Sequence, residues 1–277
     1  MRMRFLLAIF FTVAATSLSA DDYTWDFRNG HFDNLSLVPI GSGAVNLLEP
    51  TAEGLRITAP AGYAVRTVGF SPRFRIRGDF EILVDFTILK WTQPEDGYGS
   101  GPTIYLSMGK TDDPAASIGR KIRTDGRDVF ALFAARVEEG QRIPSAKLFD
   151  APQQSRRTGR LQLKRTGHEI TYSVADRKYA SVRELATLPV SDADVTLTRI
   201  GVEQSDPQSF VAMILHNISI HADELPDLPS EQSRTAQLYR PRYLPPEEPK
   251  SNRWIWQTAV ALLLTCGFGF WLWKRTN

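Results

Sequence analysis

Phe80-Glu81-Ile82-Leu83-Val84-Asp85-Phe86-Thr87-Ile88 indicates the fold class of this chain most directly, because its apolar side chains recur at every second position. Successive residues of a strand point to opposite faces of a sheet, so the even-numbered residues from Phe80 to Ile88 share one face. This alternation predicts a strand with one face in an apolar core and the other face outside it.

Similar alternation occurs at Leu161–Leu163, at Ile170–Val174 and along 210–220. Turn-forming pairs such as Glu53-Gly54 and Thr166-Gly167 separate these segments. Residues 21–222 therefore read as strands nearly throughout. About a dozen strands in some 200 residues predict one large all-β domain, an antiparallel sandwich.

The order of several strand segments resembles the concanavalin A-like lectin/glucanase sandwich superfamily. The residues that carry the resemblance are Gly54-Leu55-Arg56-Ile57, Gly78-Asp79-Phe80-Glu81-Ile82, Gly159-Arg160-Leu161-Gln162-Leu163, His168-Glu169-Ile170-Thr171-Tyr172 and Ile200-Gly201-Val202. The chain is most similar to an uncharacterised domain-of-unknown-function family of exported planctomycete proteins. The resemblance implies a jelly roll of two stacked sheets, one of them concave and often used for glycans. It implies no particular activity.

The first 20 residues predict a signal peptide. Arg2 and Arg4 precede an apolar run from Phe5 to about Ala15, and the small-residue sequence Leu18-Ser19-Ala20 ends it. That run is too short to span a bilayer comfortably, so cleavage after Ala20 is favoured over an uncleaved anchor. We therefore expect the domain to be exported.

Residues 254–273 form a 20-residue stretch without a charge. A helix of that length spans about 30 Å, the thickness of the hydrocarbon core. Tryptophans, which prefer the headgroup region, stand at both ends of the stretch: Trp254, Trp256, Trp271 and Trp273. A transmembrane helix is predicted, with 274–277 as a cytoplasmic tail. A buried core helix and a cleaved sorting signal are the alternatives.

The segment 223–253 contains six of the 17 prolines. Proline fixes φ and removes a hydrogen-bond donor, so the segment is predicted to be a semi-rigid, Pro-rich stalk. These features place the domain on the outer side of a bacterial cell membrane, either in the periplasm or at the cell surface.

The positive net charge of the whole chain does not by itself predict an anionic partner. The formal net charge is +2, but four of the 33 basic residues belong to the two terminal segments. The remaining 29 basic residues face 31 acidic ones in the exported part. A nucleic-acid partner is not expected for an exported domain of this composition.

Glycoside hydrolysis is the obvious activity to test for this fold. Glu81 and Asp85 share a strand face, but four residues at about 3.3 Å each separate them by about 13 Å. Paired catalytic carboxylates are about 5–9.5 Å apart. Only a partner from another strand, such as Glu203, would restore the geometry. We therefore predict no catalytic residues.

The best binding candidate is the face opposite the predicted core, with Glu81, Asp85 and Trp91, together with Tyr98 in the following loop and Glu203. An exposed ring beside hydrogen-bond acceptors suits a sugar, whose apolar face stacks on the ring. The alternative for Trp91 is that its ring caps the edge of the core.

No metal site is predicted, because the four histidines lack ligand spacing. Calcium at Asp112-Asp113 or Asp125-Gly126-Arg127-Asp128 is a weak candidate that lacks the oxygen spacing of a dedicated loop.

Basic residues form two clusters that an anionic polysaccharide or lipid headgroup would suit. The clusters are Arg73, Arg75 and Arg77, and Arg156, Arg157, Arg160, Lys164 and Arg165. The alternative role of these residues is to prevent pairing of an exposed sheet edge with another strand.

The resulting hypothesis is a membrane-anchored extracytoplasmic recognition module that binds a carbohydrate or another envelope component without catalysis. The alternatives are a glycoside-active enzyme of the lectin/glucanase fold and a structural envelope subunit without a small-molecule ligand.

Overall fold

A computed structural model describes residues 20–41, 43–63, 66–109, 114–151, 157–175 and 182–238. The predicted signal peptide up to residue 19, most of the stalk, the apolar stretch 254–273 and the tail lie outside these residues. So do Asp112, Asp113 and Arg156. No helix in the described part of the chain is long and apolar enough to cross a membrane.

Fifteen strands and one α-helix are present in the described residues. The strands are β1 (Asp21–Asp26), β2 (Leu37–Ile40), β3 (Leu48–Thr51), β4 (Gly54–Ala59), β5 (Thr67–Pro72), β6 (Arg77–Trp91), β7 (Gly101–Met108), β8 (Ala115–Ile122), β9 (Asp128–Glu138), β10 (Gln141–Asp150), β11 (Thr158–Thr166), β12 (Glu169–Ala175), β13 (Arg183–Pro189), β14 (Val195–Glu203) and β15 (Val211–Glu224). The helix is α1 (Glu231–Leu238).

The strands form two antiparallel sheets. The eight-stranded sheet has the order β13-β12-β11-β6-β15-β4-β3, with β1 also paired to β15. The seven-stranded sheet has the order β10-β9-β8-β7-β14-β5-β2. The chain crosses between the sheets repeatedly, for example between β6 and β7, between β10 and β11, and on both sides of β14. This is the all-β sandwich of two antiparallel sheets that the alternation of apolar residues predicts.

The core lies between the sheets, and β6 contributes to it as expected. Phe80, Ile82, Val84, Phe86 and Ile88 are all at most 3% exposed. The facing side chains come from the seven-stranded sheet and include Phe70, Ile104, Ile118, Leu132 and Ile200. Burial of this apolar surface is the main stabilising contribution to such a fold.

Local irregularities in β6 and β15 change which face some residues occupy. The ladder pairs Ile88 with Met213 and Lys90 with Ala212, so Leu89 is an extra residue on β6. An extra residue of this kind is a β-bulge, and it reverses the alternation that follows. A second shift falls between Leu215 and Asn217 on β15.

The sandwich extends beyond the predicted domain boundary at residue 222. Strand β15 continues to Glu224, and Leu225 is 4% exposed. In α1 the Arg234 side chain packs over the ring of Tyr23, 5.0 Å from its centroid, and Arg234 is 8% exposed. The first part of the proline-containing segment therefore belongs to the packed domain.

Candidate functional site

The three predicted acids lie on the outer faces of the two sheets, which point in opposite directions. Glu81 and Asp85 are on the outer face of the eight-stranded sheet, opposite the buried even-numbered residues of β6. Glu203 is on β14 of the seven-stranded sheet, where it alternates with the buried Val202. The core separates the two faces, so Glu203 does not supply a second carboxylate to Glu81 or Asp85.

Asp85 is engaged within its own sheet. Its two carboxylate oxygens accept hydrogen bonds from Nε and Nη2 of Arg160 at 2.6 and 2.7 Å. The Asp85 side chain is 3% exposed, and its hydrogen bond is the main cause that raises the pKa of Arg160. Glu81 accepts a hydrogen bond from Gln162 on the neighbouring strand β11. Both acids therefore link β6 to β11, and Asp85 does so with both carboxylate oxygens.

Trp91 does not share the face of Glu81, and that expectation is wrong. Trp91 pairs directly with Val211, which in turn pairs with Ala59. Both partners are fully buried and face the core, and directly paired residues of a ladder point to the same face. The bulge at Leu89 causes the change, since it inserts one residue after Ile88. This register agrees with the alternative role, in which the Trp91 ring caps the edge of the core.

Tyr98 lies at one end of the seven-stranded sheet. Its side chain is 83% exposed, and its carbonyl oxygen accepts a hydrogen bond from Arg123 Nη1 at 2.8 Å. Three residues later Gly101 pairs with Glu203 in the β7–β14 ladder. The loop that carries Tyr98 therefore stands beside Glu203.

A row of small residues crosses the outer face of the seven-stranded sheet. Gly69, Gly201, Thr103 and Gly119 are paired in sequence on the adjacent strands β5, β14, β7 and β8. A Cβ atom at Gly201 would lie 2.1 Å from the Val68 carbonyl oxygen. Side chains are excluded at Gly69 and Gly201 by the close approach of the backbones, and the row forms the floor of a groove, defined here as the outer groove.

Polar and aromatic side chains form the two walls of the outer groove. One wall contains the ion pair between Lys121 Nζ and Glu203 Oε2, which are 2.6 Å apart. The Lys121 side chain is 10% exposed and that of Glu203 is 38% exposed. The other wall contains Tyr105, with the Arg199 guanidinium 5.7 Å from its ring centroid.

The outer groove contains a pocket of about 210 Å³. Its lining residues are Thr67, Thr103, Tyr105, Arg199, Gly201 and Glu203. Among these lining residues, the sequence predicts only Glu203 as a site residue. The sequence does not identify the other lining residues as part of a site. They are far apart in the chain and become neighbours in space only because their strands pair.

Metal ligands are not grouped in the part of the chain that the structure describes: no three His, Cys, Asp or Glu residues there are placed to hold a metal ion. The Asp125 carboxylate accepts a hydrogen bond from Arg127 Nε at 2.8 Å, and this contact lowers the pKa of Asp125. Asp128 is bound by Arg120 through Nε and Nη2 at 3.0 and 2.7 Å. The calcium hypothesis gains no support from these turns.

A comparison with known protein families identifies the family of this chain. A family model described as the C domain of a protein of unknown function, DUF1583, matches residues 14–248. This chain belongs to the DUF1583 family. The expectation of a domain-of-unknown-function family is therefore confirmed, while a planctomycete source stays a prediction. No curated protein matches this DUF1583 chain.

Solved structures share the architecture of this DUF1583 domain at low identity. LamAcat from Zobellia galactanivorans is 9% identical with a TM-score of 0.51, over 72% of this chain and 96% of that one. A mutant of the GH43 protein BlXynB from Bacillus licheniformis is 9% identical with a TM-score of 0.50, over 72% and 39% of the two chains. The winged bean acidic lectin, complexed with methyl-α-D-galactose, is 12% identical with a TM-score of 0.47, over 73% and 99%. The likeness to LamAcat and to the BlXynB mutant therefore shows the fold alone, an all-β sandwich of two antiparallel sheets.

Proposed function

We propose that this DUF1583 domain is a non-catalytic carbohydrate-binding module whose ligand lies in the outer groove. The observation that carries the proposal is the floor of Gly69, Gly201, Thr103 and Gly119 between two walls of polar and aromatic side chains. A floor of three glycines and one threonine lets an extended chain approach the backbone of the sheet. The walls then contact the ligand from both sides.

The chemistry of the walls suits a sugar. Tyr105 supplies an aromatic ring that contacts the apolar face of a sugar ring beside the Arg199 guanidinium. Glu203, Thr67 and Thr103 supply hydrogen-bond acceptors and donors for hydroxyl groups, and all three line the same pocket. A mostly apolar concave surface with a few placed polar groups is the usual form of a small-molecule site.

The distribution of acids supports binding over hydrolysis. Within β5, β14, β7, β8 and β9, which the structure describes completely, the one acid at an outward position is Glu203. A glycosidase needs two carboxyl groups about 5–9.5 Å apart. The ion pair with Lys121 also fixes the position of the Glu203 carboxylate, which suits a role as a hydrogen-bond acceptor.

The location of the module is proposed from the terminal segments alone. The predicted signal peptide at 1–20 and the predicted anchor at 254–273 would hold the domain outside the cytoplasm of a bacterial cell, facing envelope glycans. Fractionation of cells that express the full chain would test this, with recovery in the membrane fraction after alkaline extraction as the expected result. Recovery in the soluble fraction would contradict the retained anchor.

A glycan array probed with the full-length chain in detergent tests the proposed function. We expect a carbohydrate hit, and we expect Tyr105→Ala and Glu203→Gln each to weaken it at least tenfold. The matched control is Glu49→Gln, an exposed acid on β3 of the opposite sheet that forms a salt bridge with Arg56. Urea unfolding of each variant would show that the domain remains folded.

Three outcomes would overturn parts of the proposal. No binding to any carbohydrate would favour the structural envelope subunit. Shortening of a bound oligosaccharide by the wild type would favour the glycoside-active enzyme. Binding that survives both groove variants but falls with Glu49→Gln would place the site on the other sheet.

A further inference from the structure

Three arginines of the basic clusters predicted from the sequence form ion pairs with neighbouring acids. Arg75 forms an ion pair with Asp227 at 3.3 Å, Arg77 with Asp194 at 3.0 Å, and Arg160 with Asp85 at 2.6 Å. Arg165 is buried and donates to the carbonyl oxygens of Gly78 and Ala193, and burial lowers its pKa. These four side chains stabilise the eight-stranded sheet and its loops through contacts within the domain.

Two arginines on the outer face of the seven-stranded sheet differ from these clusters. Arg199 and Arg142 are exposed, and neither forms a salt bridge with a carboxylate of the described residues. Each guanidinium instead lies over an aromatic ring, with 5.7 Å between Arg199 and the Tyr105 centroid and 5.7 Å between Arg142 and the Phe133 centroid.

The two rings lie in the same row of the sheet. Tyr105 pairs with Ser117, and Ser117 pairs with Phe133, so one strand separates the two rings. Two strand spacings correspond to about 10 Å. The row that forms the floor of the outer groove continues from Gly119 to Ala131 on β9, so the two Arg–aromatic pairs follow the direction of the groove and the second pair lies beyond the end of its floor.

The charge balance of this face favours an anionic ligand. Glu203 forms an ion pair with Lys121 at 2.6 Å, and Asp150 at the end of β10 forms one with Arg127 at 3.6 Å, so neither acid offsets the two arginines. A guanidinium that lies over a ring directs its N–H groups outward in its own plane, where they form paired hydrogen bonds with carboxylate or sulfate oxygens. The cation–π contact also limits the motion of each side chain, which reduces the entropy lost on binding.

We propose that the ligand of the outer groove is an acidic glycan, whose carboxylate or sulfate groups are bound by Arg199 and Arg142 while its sugar rings contact Tyr105 and Phe133. This inference rests on the proposed function and narrows it to one class of carbohydrate. Spacing of the two arginine sites along the groove requires a ligand with anionic groups on more than one sugar unit.

Affinity electrophoresis of the full-length chain tests the inference with matched polymers. The probes are polygalacturonate and its fully methyl-esterified form, which differ in charge but not in backbone, and dextran sulfate with unmodified dextran. We expect at least tenfold tighter binding to one charged member of these pairs than to its neutral counterpart. Arg199→Gln and Arg142→Gln are each expected to remove most of that preference.

A control variant separates a specific site from general electrostatics. Arg56→Gln removes the same charge from an exposed position on β4 of the opposite sheet and is expected to leave the preference unchanged. An equal loss in Arg56→Gln would overturn the inference. Equal arginine-dependent binding to anionic lipid vesicles would also overturn it, since the ligand would then be a headgroup surface.

Failure of the inference is distinguishable from failure of the proposed function. Equal binding to charged and neutral polymers that Tyr105→Ala still abolishes would refute the acidic ligand and retain the carbohydrate groove. No retardation by any of the four polymers, together with an empty glycan array, would refute both.

Discussion

Trp91 lies directly opposite Val211 in the ladder between β6 and β15, on the face of the eight-stranded sheet that is turned toward the core. Simple alternation from Phe80 would place it on the outer face with Glu81. The bulge at Leu89 reverses the alternation. The carbonyl oxygen of Leu89 accepts a hydrogen bond from Arg157 Nη1 at 2.9 Å, and Ile88 N donates to the Arg157 carbonyl oxygen at 2.8 Å. These contacts hold the irregular segment in place.

Trp91→Ala is therefore expected to reduce stability and leave glycan binding unchanged. Trp91 is half-buried, so the loss is about 2 kcal/mol, below the range of about 3–5 kcal/mol for a fully buried aromatic. Urea unfolding measures the loss, and titration with the best glycan measures affinity. A tenfold loss of affinity at unchanged stability would instead assign Trp91 to the ligand site.

Asp85→Ala is expected to lower the free energy of unfolding by about 3 kcal/mol, because it leaves Arg160 without its partner. The value falls at the low end of the range for buried pairs, since the Arg160 side chain is 28% exposed and regains some water. The double variant Asp85→Leu with Arg160→Met should recover most of the loss, because no charge is left unpaired. Loss of glycan binding by a stable double variant would instead show that the ligand binds the outer face of the eight-stranded sheet.

Stability is expected to fall at alkaline pH through the buried phenol of Tyr23. Burial is the main cause that raises the pKa of Tyr23 above its ordinary value of 10.0, and Asp33 adds to the effect. The folded state therefore keeps the proton after the unfolded chain begins to lose it. The stabilising contribution is complete below pH 10 and declines above it by about 1.4 kcal/mol per pH unit.

Unfolding free energies at pH 9, 10 and 11 measure this decline. Tyr23→Phe should show a shallower slope above pH 10, although it also loses the hydrogen bond to Asp33 at 3.1 Å. Tyr98→Phe removes a phenol that is 83% exposed and should keep the wild-type slope. Identical slopes in wild type and Tyr23→Phe would show that another group controls the alkaline limit.

Arg234→Ala is expected to loosen α1 from the sandwich. The Arg234 side chain contacts the Tyr23 ring, and a desolvated contact of this type contributes about 2 kcal/mol. Backbone hydrogen exchange should become faster across Glu231–Leu238, with little change in the strands. Gln232→Ala, at an exposed position of the same helix, is the control. Unchanged exchange in Arg234→Ala would mean that other contacts hold the helix.

Much of the domain could be predicted because strand formation leaves a local signal. The period of two in β6 identifies both the strand and its buried face, and all five predicted core residues there are buried. Turn-forming glycines also allow a local prediction, because they mark where one strand ends and the next begins. Gly167 has φ of 59°, a conformation that favours glycine, and it joins β11 to β12 where Thr166 pairs with Glu169.

The candidate site had no comparable signal. Gly69, Thr103, Gly119 and Gly201 are separated by tens of residues, and only the pairing of four strands aligns them as one floor. Glu203 could be noticed as an acid on a strand, yet its sheet and face were not determined by its neighbours in sequence. Arg199 and Arg142 carried no pattern at all.

The all-β class, the alternating core face of β6 and the family could be read from the sequence alone, because they depend on residue types at short spacing. The register of the ladders, the bulge that turns Trp91 inward and the opposite placement of Asp85 and Glu203 emerge only from the tertiary structure. Register is set by hydrogen bonds and packing between strands that are far apart in the chain, and a shift of one residue exchanges the two faces of a strand.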